Sequence, residues 1–203
     1  AREGAERIRK IVRGLMTFSR ADEERRAVID VRPVLELAIN MTFNEIRHRA
    51  RLVKDYGPIP AVEADESRLG QVFINLLVNA AQAIREGDTE GNEIRVVTAT
   101  DEAGHAVVEV RDTGGGIPKD VLPRVFDPFF TTKPIGVGTG LGLSICHGIV
   151  STLGGQITAT NVGRGAAFRV VLPPVAGASA HPSDAQPRAA RGRRGAVLVV
   201  DDE

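Results

Sequence analysis

Four short stretches of this chain carry residue types that could handle a phosphorylated ligand. The first is Asp112-Thr-Gly-Gly-Gly-Ile-Pro118. Strand alternation puts Asp112 on the same face as Val108 and Val110, so its carboxylate emerges on an apolar side, where burial without a donor is costly. The glycines after it let a flat group approach the backbone. A carboxylate accepting from an exocyclic amine beside a glycine floor suits adenine, whereas guanine presents a carbonyl there and is repelled. An Asp opening a tight glycine turn would have the same sequence. The second stretch is an amide stripe. Asn75 and Asn79 are four apart, share a helix face, and are extended by Gln71. Asn is a weak helix former that needs partners when buried. Its carbonyl is a hard oxygen ligand suited to Mg2+, a metal that keeps waters and shares substrate phosphates. A solvated polar edge would show the same spacing.

The third stretch, Gly136-Val-Gly-Thr-Gly-Leu-Gly142, runs directly into a helix. Exposed N–H groups and the positive end of a helix dipole together bind phosphate. The spacing matches neither the P-loop pattern nor a dinucleotide fingerprint after a strand, so both are excluded, and a flexible hinge is the other reading. The fourth stretch lies between these. Residues 113–139 hold four prolines and no clear period. At 27 residues the stretch is well beyond the usual limit of about 12–15 for a structureless connection, which marks a functional lid. Within it, Phe126, Phe129 and Phe130 could pin the lid to the domain. Lys133 and Arg124 could reach a phosphate or stay solvated. Ten of the 22 glycines fall between Asp112 and Gly155, so the backbone there is shaped around a ligand.

The elements that must position these residues are legible from periodicity. A helix over 3–20 carries the stripe Ile8, Ile11, Val12 and Leu15, and needs a partner to cover it. Asp30-Val-Arg-Pro opens a second helix, and a third runs from Glu66 to Arg85 with Leu69, Val72, Phe73, Leu76, Leu77, Ala80 and Ile84 on one side. Strands are predicted at 51–56, 93–100, 105–112, 156–161 and 166–172, and a fourth helix over 141–153. The predicted fold class is α/β, a two-layer sandwich of helices on a mixed, mostly antiparallel sheet, preceded by one long helix. Residues 174–195 are mostly Ala, Pro, Gly, Ser and Arg and read as a linker, after which Ala196-Val-Leu-Val-Val-Asp-Asp-Glu203 reads as a buried strand ending in carboxylates.

Composition narrows the classes. With 42% hydrophobic and 26% charged residues, wholesale disorder is disfavoured. Twenty-six basic residues balance twenty-six acidic ones, which disfavours a nucleic-acid partner held by bulk charge. One cysteine permits no internal disulfide and no zinc site built on two cysteines, and Cys146 reads as a small buried apolar residue. No uncharged apolar run approaches the roughly 18 residues of a membrane span, and the first residues are no signal peptide. A cytoplasmic location without membrane contact is expected for this segment, while a longer parent is free to be membrane-anchored.

Taken in order, Asn75-x3-Asn79-Ala, Asp112-x-Gly-x-Gly-Ile-Pro, Phe126-x-Pro-Phe-Phe and Gly136-x-Gly-x-Gly-x-Gly142 resemble the N box, first glycine box, F box and second glycine box of the GHKL superfamily. The chain over 31–173 is similar to the ATP-binding catalytic domain of bacterial sensor histidine kinases. The resemblance implies ATP and Mg2+ as cofactors. It implies that Asp112 reads the adenine amine, that Asn79 holds Mg2+ between the phosphates, and that Asn75 supports the phosphate side. Gly114, Gly116, Gly138, Gly140 and Gly142 would shape the pocket. Thr139 and the Leu141–Gly142 backbone would meet the phosphates, and Ile117, Phe126 and Lys133 complete the implied ATP-binding set. Where superfamily members that hydrolyse ATP with water usually carry a glutamate, this chain has Asn75. The likeliest general base is missing and a gyrase-like ATPase is disfavoured.

The flanks extend the resemblance. Residues 1–28 look like the second helix of a dimerisation and histidine-phosphotransfer hairpin. Residues 196–203 look like the first strand of a response-regulator receiver, with Asp201 and Asp202 in its acidic Mg2+ pocket, and the parent would then be a hybrid kinase and a homodimer. In that family the phospho-accepting histidine sits on the first hairpin helix. His48, His105, His147 and His181 are all in the wrong context, so the chain is expected to bind Mg·ATP but not to phosphorylate itself. Its partners would be the histidine-bearing helix and a receiver domain. Two other readings share the boxes, a serine kinase or anti-sigma switch and a non-catalytic nucleotide-sensing scaffold. The hairpin-like helix argues against the first, and the undamaged boxes against the second.

Overall fold

The computed structural model describes residues 26–133 and 138–175. The expected helix over 3–20, Gly136 of the second glycine stretch, and the receiver-like strand at 196–203 lie outside these. Two strands, β1 (Ala27–Ile29) and β3 (Val62–Ala64), pair antiparallel as a small ribbon. The main sheet has five strands, β2 (Arg51–Tyr56), β4 (Glu93–Thr100), β5 (Ala106–Asp112), β6 (Gln156–Val162) and β7 (Gly165–Leu172), in the order β2-β4-β5-β7-β6. Only the β2–β4 pair is parallel. Three helices cover one face, α1 (Val31–Ile46), α2 (Glu66–Ala83) and α3 (Gly142–Thr152), with α2 packed between the other two and against β5 and β7. The expected two-layer sandwich is what forms.

Local chemistry explains the helix limits. Asp30 caps α1 by accepting from the Arg32 N–H at 2.9 Å, and Asp65 caps α2 by accepting from the Arg68 N–H at 3.0 Å. The α2 helix stops at Ala83, two residues before the sequence predicted. Ile84 turns extended to bury its side chain, and its carbonyl is taken by the Arg49 guanidinium at 3.0 Å. That bond replaces a helical partner for one of the last carbonyls.

The sheet's inner face follows the two-residue period. Ile94, Val96 and Thr98 of β4 stand opposite Asp112, Val110 and Val108 of β5, and Phe168 and Val170 of β7 continue the layer. Against it lie Leu69, Val72, Phe73, Leu76 and Leu77 of α2, all fully buried. The outer face is mixed, with Glu109 of β5 flanked by Arg111 and by Arg169 of β7 and with Val107 and Val171 beside them. An antiparallel sheet clothed on one side only needs that alternation.

Two expected boundaries shift. Ala27 and Val28, read as the end of the hairpin segment, belong to β1 and pair with Ala64 and Glu63. Val175, read as linker, donates its N–H to the Ala61 carbonyl at 3.1 Å. The packed domain therefore runs at least from Ala27 to Val175. A three-residue strand has too few alternations to show a period, and a single backbone bond leaves no trace in composition. No helix among the described residues is long and apolar enough to cross a membrane.

Phe73 is fully buried where α2 meets the sheet, so Phe73→Ala should cost about 3–5 kcal/mol. Urea denaturation should show a lowered midpoint with an unchanged slope.

Candidate functional site

The amide stripe runs along the edge of α2 that its apolar face leaves half open. Asn75 donates from Nδ2 to the Gly142 carbonyl at 3.3 Å, bridging α2 to the start of α3. Asn79 accepts at Oδ1 from the Lys133 ammonium at 2.9 Å, which ties the Phe126–Lys133 segment to the same helix. Gln71, one turn before Asn75, takes no part in these bonds. Its place is taken at the other end by Gln82, whose Oε1 also accepts from Lys133. Gln82 sits three residues after Asn79 on the same face, a spacing that could have singled it out.

Asp112 ends β5 with its side chain 5% exposed. Its Oδ1 accepts from the Gly114 N–H at 2.8 Å and from the Ala166 N–H at 3.4 Å. These two donors are assigned to one oxygen, and Oδ2 has no protein partner among the described residues. Burial raises the Asp112 pKa above the ordinary carboxylate value, with the two backbone N–H groups opposing the shift. The strand beside it leaves no room for a side chain, because a Cβ on Gly165 would overlap the Asp112 carbonyl. Gly114 lies against the Ala83 carbonyl, joining the first glycine stretch to the end of α2. Gly116 adopts a positive φ of 70°. Ile117 is held by Asn161 of β6, which accepts from the Ile117 N–H at 2.8 Å and donates to its carbonyl at 2.7 Å. Nothing in the sequence singled out Asn161, since an Asn beside a hairpin turn is ordinary.

The second glycine stretch meets the aromatic one. Gly140 has φ 68°, and a Cβ there would run into the backbone of Phe129, itself at φ 64°. Gly138 lies beside Thr131 and Lys133, and Gly142 faces Asn75. The Thr139 hydroxyl accepts from the Leu141 N–H at 3.4 Å. No side chain caps α3, whose N-cap residue is Leu141, so its first N–H groups remain available for an anion. Phe126 pins its segment to the domain, with its ring 5.7 Å from His147 and edge-on to Phe168 at 6.4 Å. The other two aromatics do not, for Phe129 is exposed and Phe130 lies under the Arg124 guanidinium at 4.3 Å. Arg124 also pairs with Asp127, so it is occupied locally. Burial lowers the Lys133 pKa. Burial also pushes the Cys146 thiol up to about 12, consistent with a packing role.

Among the described residues no group of three or more His, Cys, Asp or Glu could hold a metal unaided. Asn79 Oδ1 nevertheless faces a cation already, the Lys133 ammonium. One hard protein oxygen, with the remaining ligands left to water and substrate phosphates, fits Mg2+.

A half-open helix edge, a glycine floor beside a buried carboxylate and an uncapped helix start thus lie together on this sandwich. Solved structures share the fold. A mycobacterial sensor histidine kinase, MprB, matches with a TM-score of 0.65 at 27% identity, over 73% of this chain and 97% of that one. Full-length ShkA in complex with AMPPNP matches with a TM-score of 0.72 at 25% identity, over 89% of this chain and 38% of that one. The sensor kinase CckA of Brucella abortus (strain 2308) is 39% identical over 187 residues, covering 85% of this chain but 20% of its own length. This chain thus spans about a fifth of that curated relative. Residues 64–176, over half of the chain, match the family described as Histidine kinase-, DNA gyrase B-, and HSP90-like ATPase, and the chain belongs to it.

The raised Asp112 pKa fixes the sign of a pH effect. The unfolded carboxyl ionises at lower pH than the folded one, so ionisation erodes stability as pH rises through the folded pKa. Asp112→Asn, which keeps an oxygen for Gly114, should therefore raise the thermal midpoint at pH 7. The gain should vanish below the unfolded carboxylate range, as a thermal melt series across pH would show.

Proposed function

We propose that this chain binds Mg·ATP and presents the γ-phosphate to a histidine on a hairpin helix, as the catalytic domain of a two-component sensor histidine kinase. One observation carries the reading. Four motif stretches, the amides of α2 and three that follow one another between 112 and 142, are joined through α2 and each other by Asn75–Gly142, Asn79–Lys133, Gly114–Ala83 and Gly140–Phe129 contacts. The relatives' names and the AMPPNP bound by ShkA support it.

Asp112 Oδ2 would accept from the adenine amine over Gly114 and Gly116, with Ile117 against the base. Asn75, Thr139, Leu141 and Gly142 would line the phosphate side, and Gly138 and Gly140 keep that backbone close. Asn79 would hold Mg2+, which supplies charge neutralisation at the phosphate oxygens. Phe126 anchors the covering segment, and Lys133 adds a positive charge there. With Asn75 in place of a carboxylate, that position offers no base to activate water, so the γ-phosphate would be kept for an in-line imidazole nitrogen.

We also read residues 1–28 as mainly hairpin helix, with a receiver beginning at 196, which would make the parent a hybrid kinase that dimerises and passes the phosphoryl group to an Asp. His48, His105 and His147 would not serve as acceptors. His48 follows α1, His105 pairs with Asp101 at 3.0 Å, and His147 packs on Phe126.

Calorimetric titration of the chain with Mg·ADP and a non-hydrolysable ATP analogue should give saturable binding. Asp112→Asn should weaken it at least about tenfold, the cost of one buried polar contact, and GTP should not compete. Equal affinity for GTP, or an unaffected variant, would remove the adenine assignment. Incubated with γ-labelled ATP, the 203-residue chain should acquire no acid-labile label, and label on it would show that one of its own histidines accepts.

A further inference from the structure

Lys133 reaches from its segment to α2 and donates to two oxygens at once, Asn79 Oδ1 at 2.9 Å and Gln82 Oε1. Asn79 and Gln82 are three apart on one helix, so their carbonyl oxygens are neighbours on a single face. Both partners are neutral amides, and no carboxylate pairs with Lys133 among the described residues. Two hard oxygens converging on one point make a seat for a cation, and here the occupant is an ammonium group supplied by the chain itself.

We propose that Lys133 is an internal stand-in cation, which the divalent metal arriving with the nucleotide must displace from Asn79 and Gln82. The inference rests on Asn79 as the metal-facing residue. An ammonium and a divalent ion cannot share one amide oxygen, since like charges a few ångströms apart repel strongly in a partly buried site. Metal binding therefore expels Lys133, and the Phe126–Lys133 segment loses its tie to α2. Without metal the lysine stays, and its positive charge faces the diphosphate in the metal's stead. Lys133 should accordingly oppose nucleotide binding when metal is present and favour it when metal is absent.

Calorimetry on the full chain with ADP, in excess Mg2+ and separately in EDTA, reads both arms. ADP lacks the γ-phosphate that could re-engage a displaced lysine. Lys133→Met should bind about tenfold tighter than wild type in Mg2+, and several-fold weaker in EDTA, the scale of one charge-assisted hydrogen bond. Gln82→Leu, which removes one tether of the lysine, should tighten Mg2+-dependent binding in part and add nothing in the Lys133→Met background. Weaker binding of Lys133→Met in both buffers would make the lysine an ordinary phosphate ligand, and unchanged binding in both would make it a surface tie. Either result overturns the stand-in. Wild type that binds ADP in neither buffer would instead overturn the nucleotide reading beneath it.

Discussion

Helix α2 has to serve two unlike neighbours at once, and the domain is arranged around how it does so. One face must bury Leu69, Val72, Phe73, Leu76 and Leu77 against the sheet. The adjoining edge must keep amides at hydrogen-bonding reach of two separate segments, the start of α3 and the one that carries Lys133. The helical repeat makes this possible, because residues 75, 79 and 82 step along a line that the apolar stripe does not cross. Rotating the helix to bury more apolar area would carry the amides under the sheet, where they would lose their partners. The capping of α2 by Asp65 and its stop at Ile84 fix its position along its own axis.

The second constraint is a close approach of strands at Asp112. The β7 strand can lie beside the end of β5 only because Gly165 carries no side chain. That proximity brings the Ala166 N–H to the carboxylate and withdraws water from it. A core residue at that place would make a more stable sheet. The domain keeps a poorly solvated carboxylate whose protein donors among the described residues all meet one oxygen, the pattern expected where binding is favoured at the expense of stability.

Much of this was legible from the residues. Helix and strand periods located every long element of the described residues within about two residues, because each buries one face and the pattern records which. Asp112 could be placed on the inner face by alternation alone. What periodicity could not supply was contact between loops. Nothing about Asn161 distinguished it from any turn asparagine until Ile117 was found between its amide atoms. The partition of the three phenylalanines was equally hidden, since only their neighbours decide that Phe126 is half-buried against the core and Phe129 exposed. Gln82 stood in plain sight at helical spacing, but its partner Lys133 is 51 residues away.

The ribbon of β1 and β3 has a further consequence. The chain passes into the domain at Ala27, opposite Ala64, and passes out at Val175, bonded to Ala61. Ala61 and Ala64 are three residues apart in an extended run, about 10 Å. Ala27 and Val175 are therefore held close together on one edge of the domain. Such a unit can be spliced between unrelated neighbours with little geometric penalty.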